Sequence, residues 1–218
     1  MKGLAKNTTK IFEPLSRLEC IKPYVLVGGT ALSLQIGTRL SEDLDFMSWK
    51  KSKNEKREVD WPQIKTELCS IGTIEHFEIL DIDHVEFIVD GVKISFYANP
   101  NYSPLKKEIK FQGNLRLADL TSIGAMKMEV MLRRSKFRDY YDIYSLLEAG
   151  ENISEMINIA LKYSGHKLKS KNLLAMLTRS ERFIADSQFL ELEPIYNVTP
   201  RQIEDRIIQA LTQERQNS

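Results

Sequence analysis

The chain has 218 residues, of which 42% are hydrophobic and 28% charged, as in a globular protein with one sizeable domain or two small ones. Its formal net charge of +1 excludes an overall acidic or basic bias as the basis for binding a partner. The two cysteines, Cys20 and Cys69, do not have the spacing of a zinc site or a disulfide framework, and both are expected to be buried thiols.

The first half of the chain has the hydrophobic patterns of strands with helices between them. The predicted elements, in chain order, are a helix at 8–20, a strand at 24–27, a helix at 30–36, a strand at 44–46, a helix at 61–72, and strands at 73–81, 84–89 and 92–97. Pro14 is expected to mark the start of the first helix, because proline disrupts a helix interior. Gly37 is expected to end the second helix as its C-cap. Asp90-Gly91 is a strong hairpin signal, so that residues 73–98 should form a three-stranded meander.

The second half of the chain has helical periodicity. Apolar residues predict helices over 120–131 and 139–147, and the chain beyond Gly150 is expected to be mostly helical. Thr199, Pro200 and Gln202 have the pattern of an N-cap, a first-turn proline and a capping box, which marks the start of the last helix. We therefore expect an α+β fold, with a mixed α/β domain over 1–115 and a helical domain over 116–218.

The sequence lacks signals of secretion and of membrane insertion. The N-terminal stretch MKGLAKNTTKIFEPL has no apolar core of the kind found in signal peptides. No apolar run approaches the ~20 residues needed to cross a bilayer. These features predict a cytoplasmic protein without a membrane partner.

Two aspartates stand out in the stretch VGGTALSLQIGTRLSEDLDF, residues 27–46. Asp43 and Asp45 are one residue apart in an apolar strand, where alternate side chains point to the same face. Adjacent carboxylates repel each other unless a cation lies between them, and Mg²⁺ takes oxygen ligands together with waters and phosphates. Gly28 and Gly29 can bring backbone N–H groups close to a phosphate at the start of a helix. The combination favours a Mg²⁺–nucleotide site over solvated loop carboxylates.

This stretch resembles the first motif of the DNA-polymerase-β-like nucleotidyltransferase superfamily, and within it the AbiEii/AbiGii toxin family. Members of that family typically show a Gly-Gly-Thr-Ala-Leu start and an Arg-x-Ser-x-Asp-Leu-Asp-Phe end. The matching residues here are Gly28, Gly29, Thr30, Ala31, Leu32, Arg39, Ser41, Asp43, Leu44, Asp45 and Phe46. The resemblance implies a nucleotidyltransferase-like mixed sheet with flanking helices. It also implies that Asp43 and Asp45 are catalytic metal ligands and that Gly28, Gly29, Thr30 and Ser41 bind the nucleotide.

A second stretch, residues 117–150, also resembles the family, whose members carry a lysine on an amphipathic helix, a basic segment, and Arg-Asp-x-x-Asp. The matching residues are Lys127, Arg133, Arg134, Lys136, Arg138, Asp139 and Asp142. The resemblance implies that Lys127 and Asp139 are catalytic, that the helical domain contributes both to the cleft, and that Lys127 also binds the nucleotide. The basic segment, with Arg133, Arg134, Lys136 and Arg138, is the candidate RNA contact.

Other roles are open for these residues. Asp139 and Asp142 are three apart and share a helix face. They could orient Lys127, act on a substrate hydroxyl, or form ion pairs with Arg134 and Arg138. For Lys127, the alternative is a surface lysine that extends its ammonium group to solvent.

One position departs from the superfamily pattern. Its members usually carry a third carboxylate on a neighbouring strand, and the matching strand here, GVKISFYANP, presents Lys93, Ser95 and Tyr97 on its outward face. Ser95 stands where the carboxylate is expected, and a serine is neither a carboxylate base nor a charged metal ligand. Asp139, Glu86 or Asp90 supplies the missing function, or the metal site is weak, or activity has been lost.

The function implied by the resemblance is that of a Mg²⁺-dependent nucleotidyltransferase. It would transfer a nucleotidyl group from an NTP to an acceptor such as an RNA 3′ end, tRNA included, as the toxin of a toxin–antitoxin pair with a cognate antitoxin protein. The alternatives are a weak or inactive nucleotidyltransferase fold that binds RNA or protein, and an accessory role.

Overall fold

The computed structural model describes residues 2–55, 58–165 and 167–216. The chain divides into two compact units, Met1–Asp119 and Leu120–Ser218, which we call the sheet unit and the helical unit. The sheet unit contains α1 (Lys6–Ser16), β1 (Val25–Val27), α2 (Gly28–Ile36), β2 (Leu44–Lys50), α3 (Trp61–Leu68), β3 (Ile74–Asp81), β4 (His84–Val89), β5 (Val92–Tyr102), β6 (Glu108–Lys110) and β7 (Arg116–Ala118). The helical unit contains α4 (Leu120–Val130), α5 (Phe137–Glu148), α6 (Ile153–Tyr163), α7 (Ser170–Leu177) and α8 (Pro200–Gln216), with two short 3₁₀ turns, Ser180–Arg182 and Phe189–Leu192, between α7 and α8.

The strands that the structure describes form one mixed sheet in the order β3-β4-β5-β2-β1-β7-β6. The β3-β4-β5 meander is antiparallel, β2 runs parallel to β5, and β1 runs antiparallel to β2 and parallel to β7. One face of the central strands is fully buried, and the rings of Phe46 and Phe96 stack there with centroids 5.1 Å apart. The expected α+β class, a mixed sheet with flanking helices followed by a helical half, is confirmed.

Several local predictions are confirmed by backbone geometry. Asp90 and Gly91 both have positive φ, 47° and 75°, as a two-residue hairpin turn requires. Gly37 adopts the left-handed conformation at the end of α2. At the start of α8, the Thr199 N–H donates to Gln202 Oε1 at 2.8 Å and the Gln202 N–H donates to Thr199 Oγ1 at 3.3 Å, so the capping box is formed.

Two expectations for the sheet unit are wrong, and two short strands were missed. The helix α1 begins at Lys6, and Pro14 lies inside its last turn, where the proline removes one intrahelical N–H bond without ending the helix. Cys69 is exposed, since it follows the C-terminal end of α3, whereas Cys20 is buried as expected. Strands β6 and β7 were not predicted, because three residues each are too short to show a period. β7 pairs with β1 and so belongs to the same sheet, while the division into domains at residue 115 stays a prediction.

The helical unit is built on close helix packing. A Cβ on Gly124 of α4 would lie 2.1 Å from Met156 Sδ of α6, so glycine allows these helices to approach. The ring of Tyr140 in α5 stacks on Phe183 at 3.5 Å between centroids. None of the helices in the described part of the chain is long and apolar enough to span a membrane.

Candidate active site

Asp43 immediately precedes β2 and Asp45 is the second residue of that strand, which is flanked by β1 and β5. Leu44 and Phe46 are 0% exposed, whereas Asp43 is exposed and Asp45 half-buried. Leu44 and Phe46 therefore face the core and Asp45 does not, as the predicted alternation requires, whereas a shared face for Asp43, which precedes the strand, stays a prediction.

The glycine pair begins α2 and lies against side chains of the same motif. Gly28 has a φ of +69°, and a Cβ at this position would lie 2.9 Å from Asp45 Oδ2. A Cβ on Gly29 would lie 2.6 Å from Arg39 Nη2 and 3.0 Å from Ser41 Oγ. The two glycines therefore allow a carboxylate and a guanidinium to approach the N-terminus of α2. Contact of their N–H groups with a phosphate stays a prediction.

Thr30 and Ser41 connect the start of α2 to the segment before β2. The Thr30 hydroxyl donates to the main-chain oxygen of Asp43, and Thr30 Oγ1 lies 2.9 Å from Ser41 Oγ. Both residues are buried. Their hydroxyls therefore hold the backbone that carries Asp43, which is a positioning role, and direct contact with a nucleotide stays a prediction.

Arg39 is the residue to which the sequence analysis gave no role. It is only 4% exposed, its Nη1 donates to the Leu40 carbonyl at 2.8 Å, and its guanidinium lies beside Gly29. The dipole of α2 disfavours a cation such as the Arg39 guanidinium beside its N-terminus. An anion at this place would be favoured both by the dipole and by the guanidinium. The sequence signal was the position of Arg39 in the motif that also contains Ser41, Asp43 and Asp45.

Ser95 is in register with Asp45 on β5, and Glu86 is in register with Ser95 on β4. Ser95 Oγ lies 3.5 Å from Glu86 Oε1. Glu86 Oε1 also lies 2.8 Å from Lys93 Nζ and 3.2 Å from His84 Nε2. Glu86 is therefore in contact with the position where a third carboxylate was expected.

Asp90, the other alternative on these strands, lies in the hairpin turn. Its Oδ1 accepts a hydrogen bond from the Thr73 N–H at 3.0 Å, and its backbone has a positive φ. Asp90 therefore has a structural role: it forms the β4–β5 turn and binds the backbone just before β3.

In the helical unit, Lys127 lies between two carboxylates of α5. Its side chain is 8% exposed, and its Nζ lies 2.5 Å from Asp142 Oδ2 and 3.4 Å from Asp139 Oδ1. Arg134 makes two hydrogen bonds of 3.2 Å to the Asp139 carboxylate. The solvent-exposed alternative for Lys127 is wrong, since the ammonium group is buried and ion-paired.

The candidate RNA-contacting residues differ in their solvent exposure and in the ion pairs that they form within the chain. Arg133 is exposed and pairs with Glu129 at 2.6 Å, and Lys136 is exposed. Arg138 forms a bidentate ion pair with Asp186, and this contact holds the pKa of Asp186 below its usual value. Contact of the exposed members of the segment with an RNA phosphate stays a prediction.

The structure thus brings together two groups of predicted residues. One group, in the sheet unit, contains Gly28, Gly29, Thr30, Ser41, Asp43 and Asp45. The other, in the helical unit, contains Lys127, Arg134, Asp139 and Asp142. That both groups line one cleft stays a prediction.

The chain is similar to known proteins along most of its length. The chain is 23% identical over 202 residues to the uncharacterized protein aq_aa25 of Aquifex aeolicus (strain VF5), a match that spans 90% of this chain and 92% of that protein. The crystal structure of JHP933 from Helicobacter pylori is similar with a TM-score of 0.46 and 20% identity, over 94% of this chain and 86% of that one. The family model of the nucleotidyl transferase AbiEii toxin, of type IV toxin–antitoxin systems, matches residues 11–214, and the chain belongs to this family.

Proposed function

We propose that the chain transfers a nucleotidyl group from an NTP to the hydroxyl of an RNA 3′ end in a Mg²⁺-dependent reaction, and that a cognate antitoxin protein counteracts it. The observation that carries this proposal is that Asp43 and Asp45 lie one residue apart where β2 begins, and that Asp45 approaches the N-terminus of α2. Membership of a nucleotidyltransferase toxin family gives the reaction class.

The residues present fit Mg²⁺. Among the described residues, no group of three or more His, Cys, Asp or Glu side chains is arranged to hold a metal ion. Mg²⁺ does not require such a group, since it commonly binds through one or two carboxylates and completes its shell with water and substrate phosphates. Asp43 and Asp45 would hold it, and the bound ion would neutralise phosphate charge and orient the reacting groups.

The residues of the sheet unit have distinct tasks in this reaction. The acceptor hydroxyl oxygen forms a bond to the α-phosphorus and its proton passes to solvent water, the bond from that phosphorus to the oxygen that bridges to the β-phosphate breaks, and pyrophosphate leaves in line. The backbone of Gly28 and Gly29 and the guanidinium of Arg39 would bind phosphate oxygens at the α2 N-terminus. Thr30 and Ser41 keep the Asp43 backbone in place.

In the helical unit, Lys127 and Asp139 are the proposed catalytic residues. Asp142 and Asp139 fix the Lys127 ammonium, and Arg134 fixes Asp139, so each charged group has a defined position. A lysine held in this way can bind an anion without a further loss of side-chain freedom. Exposed Arg133 and Lys136 support an RNA acceptor, because phosphates bind such cations.

The test measures binding and transfer separately. Calorimetry should show NTP binding that requires Mg²⁺ in the wild type and is lost in the Asp43→Asn/Asp45→Asn variant. Label from one of the four NTPs should appear in total RNA with the wild type only. Glu42→Gln is the matched control, because Glu42 is an exposed carboxylate next to Asp43. Unchanged Mg²⁺-dependent binding in the double variant would contradict the assignment.

A second candidate is a fold that binds RNA without transferring a nucleotide, and the serine at position 95 favours it. Ser95 is 0% exposed and carries no charge. RNA binding that persists unchanged in Asp43→Ala/Asp45→Ala, together with no Mg²⁺-dependent NTP binding in the wild type, would establish this candidate over the first.

A further inference from the structure

Three polar side chains lie in one row across the sheet. The register pairs Asp45 of β2 with Ser95 of β5, and Ser95 with Glu86 of β4. Residues paired across neighbouring strands project from the same face, and neighbouring strands are about 4.8 Å apart. Ser95 therefore lies between Asp45 and Glu86 in this row, one strand away from each.

The hydroxyl of Ser95 has a defined direction. A serine hydroxyl has one proton to donate and two lone pairs, whereas an ionised carboxylate only accepts. With Oγ at 3.5 Å from Glu86 Oε1, Ser95 donates its proton towards β4. The Oγ lone pairs are then available on the other side, where β2 carries Asp45.

Glu86 is itself held in place. Lys93 Nζ lies 2.8 Å from the oxygen that faces Ser95, and His84 Nε2 lies 3.2 Å from it. The His84 ring stacks on Tyr97 with centroids 4.0 Å apart. The Lys93 charge also offsets the repulsion between the carboxylates of Glu86 and Asp45.

We infer that Ser95 is a third oxygen ligand of the Asp43–Asp45 metal site and that Glu86 is its positioning residue, an inference that rests on the proposed function. Hard divalent cations accept neutral oxygen ligands as well as carboxylates. A carboxylate that accepts the proton of a ligand raises the basicity of the ligand atom, as carboxylates do behind metal-binding histidines. Negative charge thus acts on the ion through Ser95, although β5 carries no acidic ligand.

The inference predicts that the effects of substituting Ser95 and Glu86 on metal binding depend on each other, which a merely structural contact would not produce. If Glu86 acts through the Ser95 hydroxyl, removal of that hydroxyl should abolish the effect of removing the carboxylate. We would measure binding of Mn²⁺ alone, from the free-ion electron paramagnetic resonance signal, in the wild type, Ser95→Ala, Glu86→Gln and the double variant. Each single variant should weaken Mn²⁺ binding about tenfold. The double variant should bind no more weakly than Ser95→Ala.

Two further variants complete the design. Glu78→Gln is the matched control, because Glu78 pairs with Glu86 in the β3–β4 register but is exposed, and its Mn²⁺ affinity should equal that of the wild type. Ser95→Asp/Glu86→Gln moves the carboxylate from β4 to β5 at constant net charge, and it should restore Mn²⁺ affinity to the wild-type value or above. Thermal unfolding curves would check that each variant is folded.

The possible failures can be told apart. If Glu86→Gln weakens Mn²⁺ binding by the same factor in the wild-type chain and in Ser95→Ala, the inference is overturned, since Glu86 would then act through its charge alone. Wild-type affinity in both single variants would also overturn it, while the Asp43–Asp45 site stood. No Mn²⁺ binding by the wild type, or binding unaffected by Asp43→Asn/Asp45→Asn, would remove the proposed metal site and the inference with it.

Discussion

Lys127 Nζ lies 2.5 Å from Asp142 Oδ2, and both side chains are buried. A buried ammonium without its carboxylate is costly, and so is the reverse. This pair therefore has a structural role in addition to any role in nucleotide binding, and the two roles need separate measurements.

Lys127→Met should lower the free energy of unfolding by about 3–5 kcal/mol, because it leaves the Asp142 carboxylate buried without its cation. Replacing both partners, in Lys127→Met/Asp142→Leu, should recover most of that loss, since apolar side chains often replace buried ion pairs without penalty. Urea unfolding measures both values. If Lys127 binds the nucleotide, the stable double variant should still fail to bind Mg²⁺–NTP. Full binding by that variant would contradict the catalytic assignment.

Gly28→Ala should weaken Mg²⁺–NTP binding strongly, because its Cβ would meet Asp45 Oδ2 at 2.9 Å. It should also cost about 1–2 kcal/mol of unfolding free energy, the usual penalty for a left-handed non-glycine residue. Gly37→Ala is the matched control, with a similar φ of +62° and the flexible Lys2 side chain as its nearest neighbour. Equal losses of NTP binding in both variants would show that backbone strain, and not contact with Asp45, is responsible.

Local patterns predicted the elements around the site because each depends on a few neighbouring residues. The two-residue turn at Asp90-Gly91 requires positive φ, which Asp and Gly adopt readily, and Gly37 ends α2 for the same reason. The alternation of Leu44 and Phe46 with the aspartates follows from strand geometry. The order of the strands depends on distant pairing. β2 lies next to β5, about fifty residues later, and no local period indicates that register.

For this reason the contact between Ser95 and Glu86 was not predictable. From the sequence, Glu86 was one of three substitutes for the missing carboxylate, and no local pattern connected it with Ser95. Only the combined β2–β5 and β4–β5 registers align Asp45, Ser95 and Glu86. Likewise, helical spacing placed Asp139 and Asp142 on one face, but which of them is closer to Lys127 depends on how α4 packs against α5.

RNA affinity should fall when the exposed basic residues are neutralised. Arg133→Gln and Lys136→Gln should each reduce the slope of log affinity against log salt by about 1, because each removes one phosphate contact. Fluorescence anisotropy with labelled RNA over a salt series gives that slope. Exposed Lys162, on α6, provides a charge-matched comparison through Lys162→Gln. A slope that is unchanged in Arg133→Gln and Lys136→Gln would exclude this segment as an RNA contact.

The ion pair between Arg138 and Asp186 predicts a pH dependence of stability. The hydrogen bonds from Arg138 lower the pKa of Asp186 below its usual 3.8 in the folded chain. A depressed carboxyl pKa stabilises the fold above the unfolded value, and this contribution is lost as the pH falls through the folded value. Arg138→Gln should therefore lower the free energy of unfolding by about 1.5–3 kcal/mol at pH 7. The difference from the wild type should shrink below pH 3.8 as Asp186 becomes protonated in both proteins.

Urea unfolding between pH 7 and pH 2.5 measures this dependence. Asp205→Asn is the control, because Asp205 also pairs with an arginine, Arg201, but both side chains are largely exposed. Exposed pairs contribute little, so this variant should follow the wild type across the whole range. A deficit in Arg138→Gln that stays constant down to pH 2.5 would show that packing of the Arg138 side chain, and not its charge, stabilises the segment between α7 and α8.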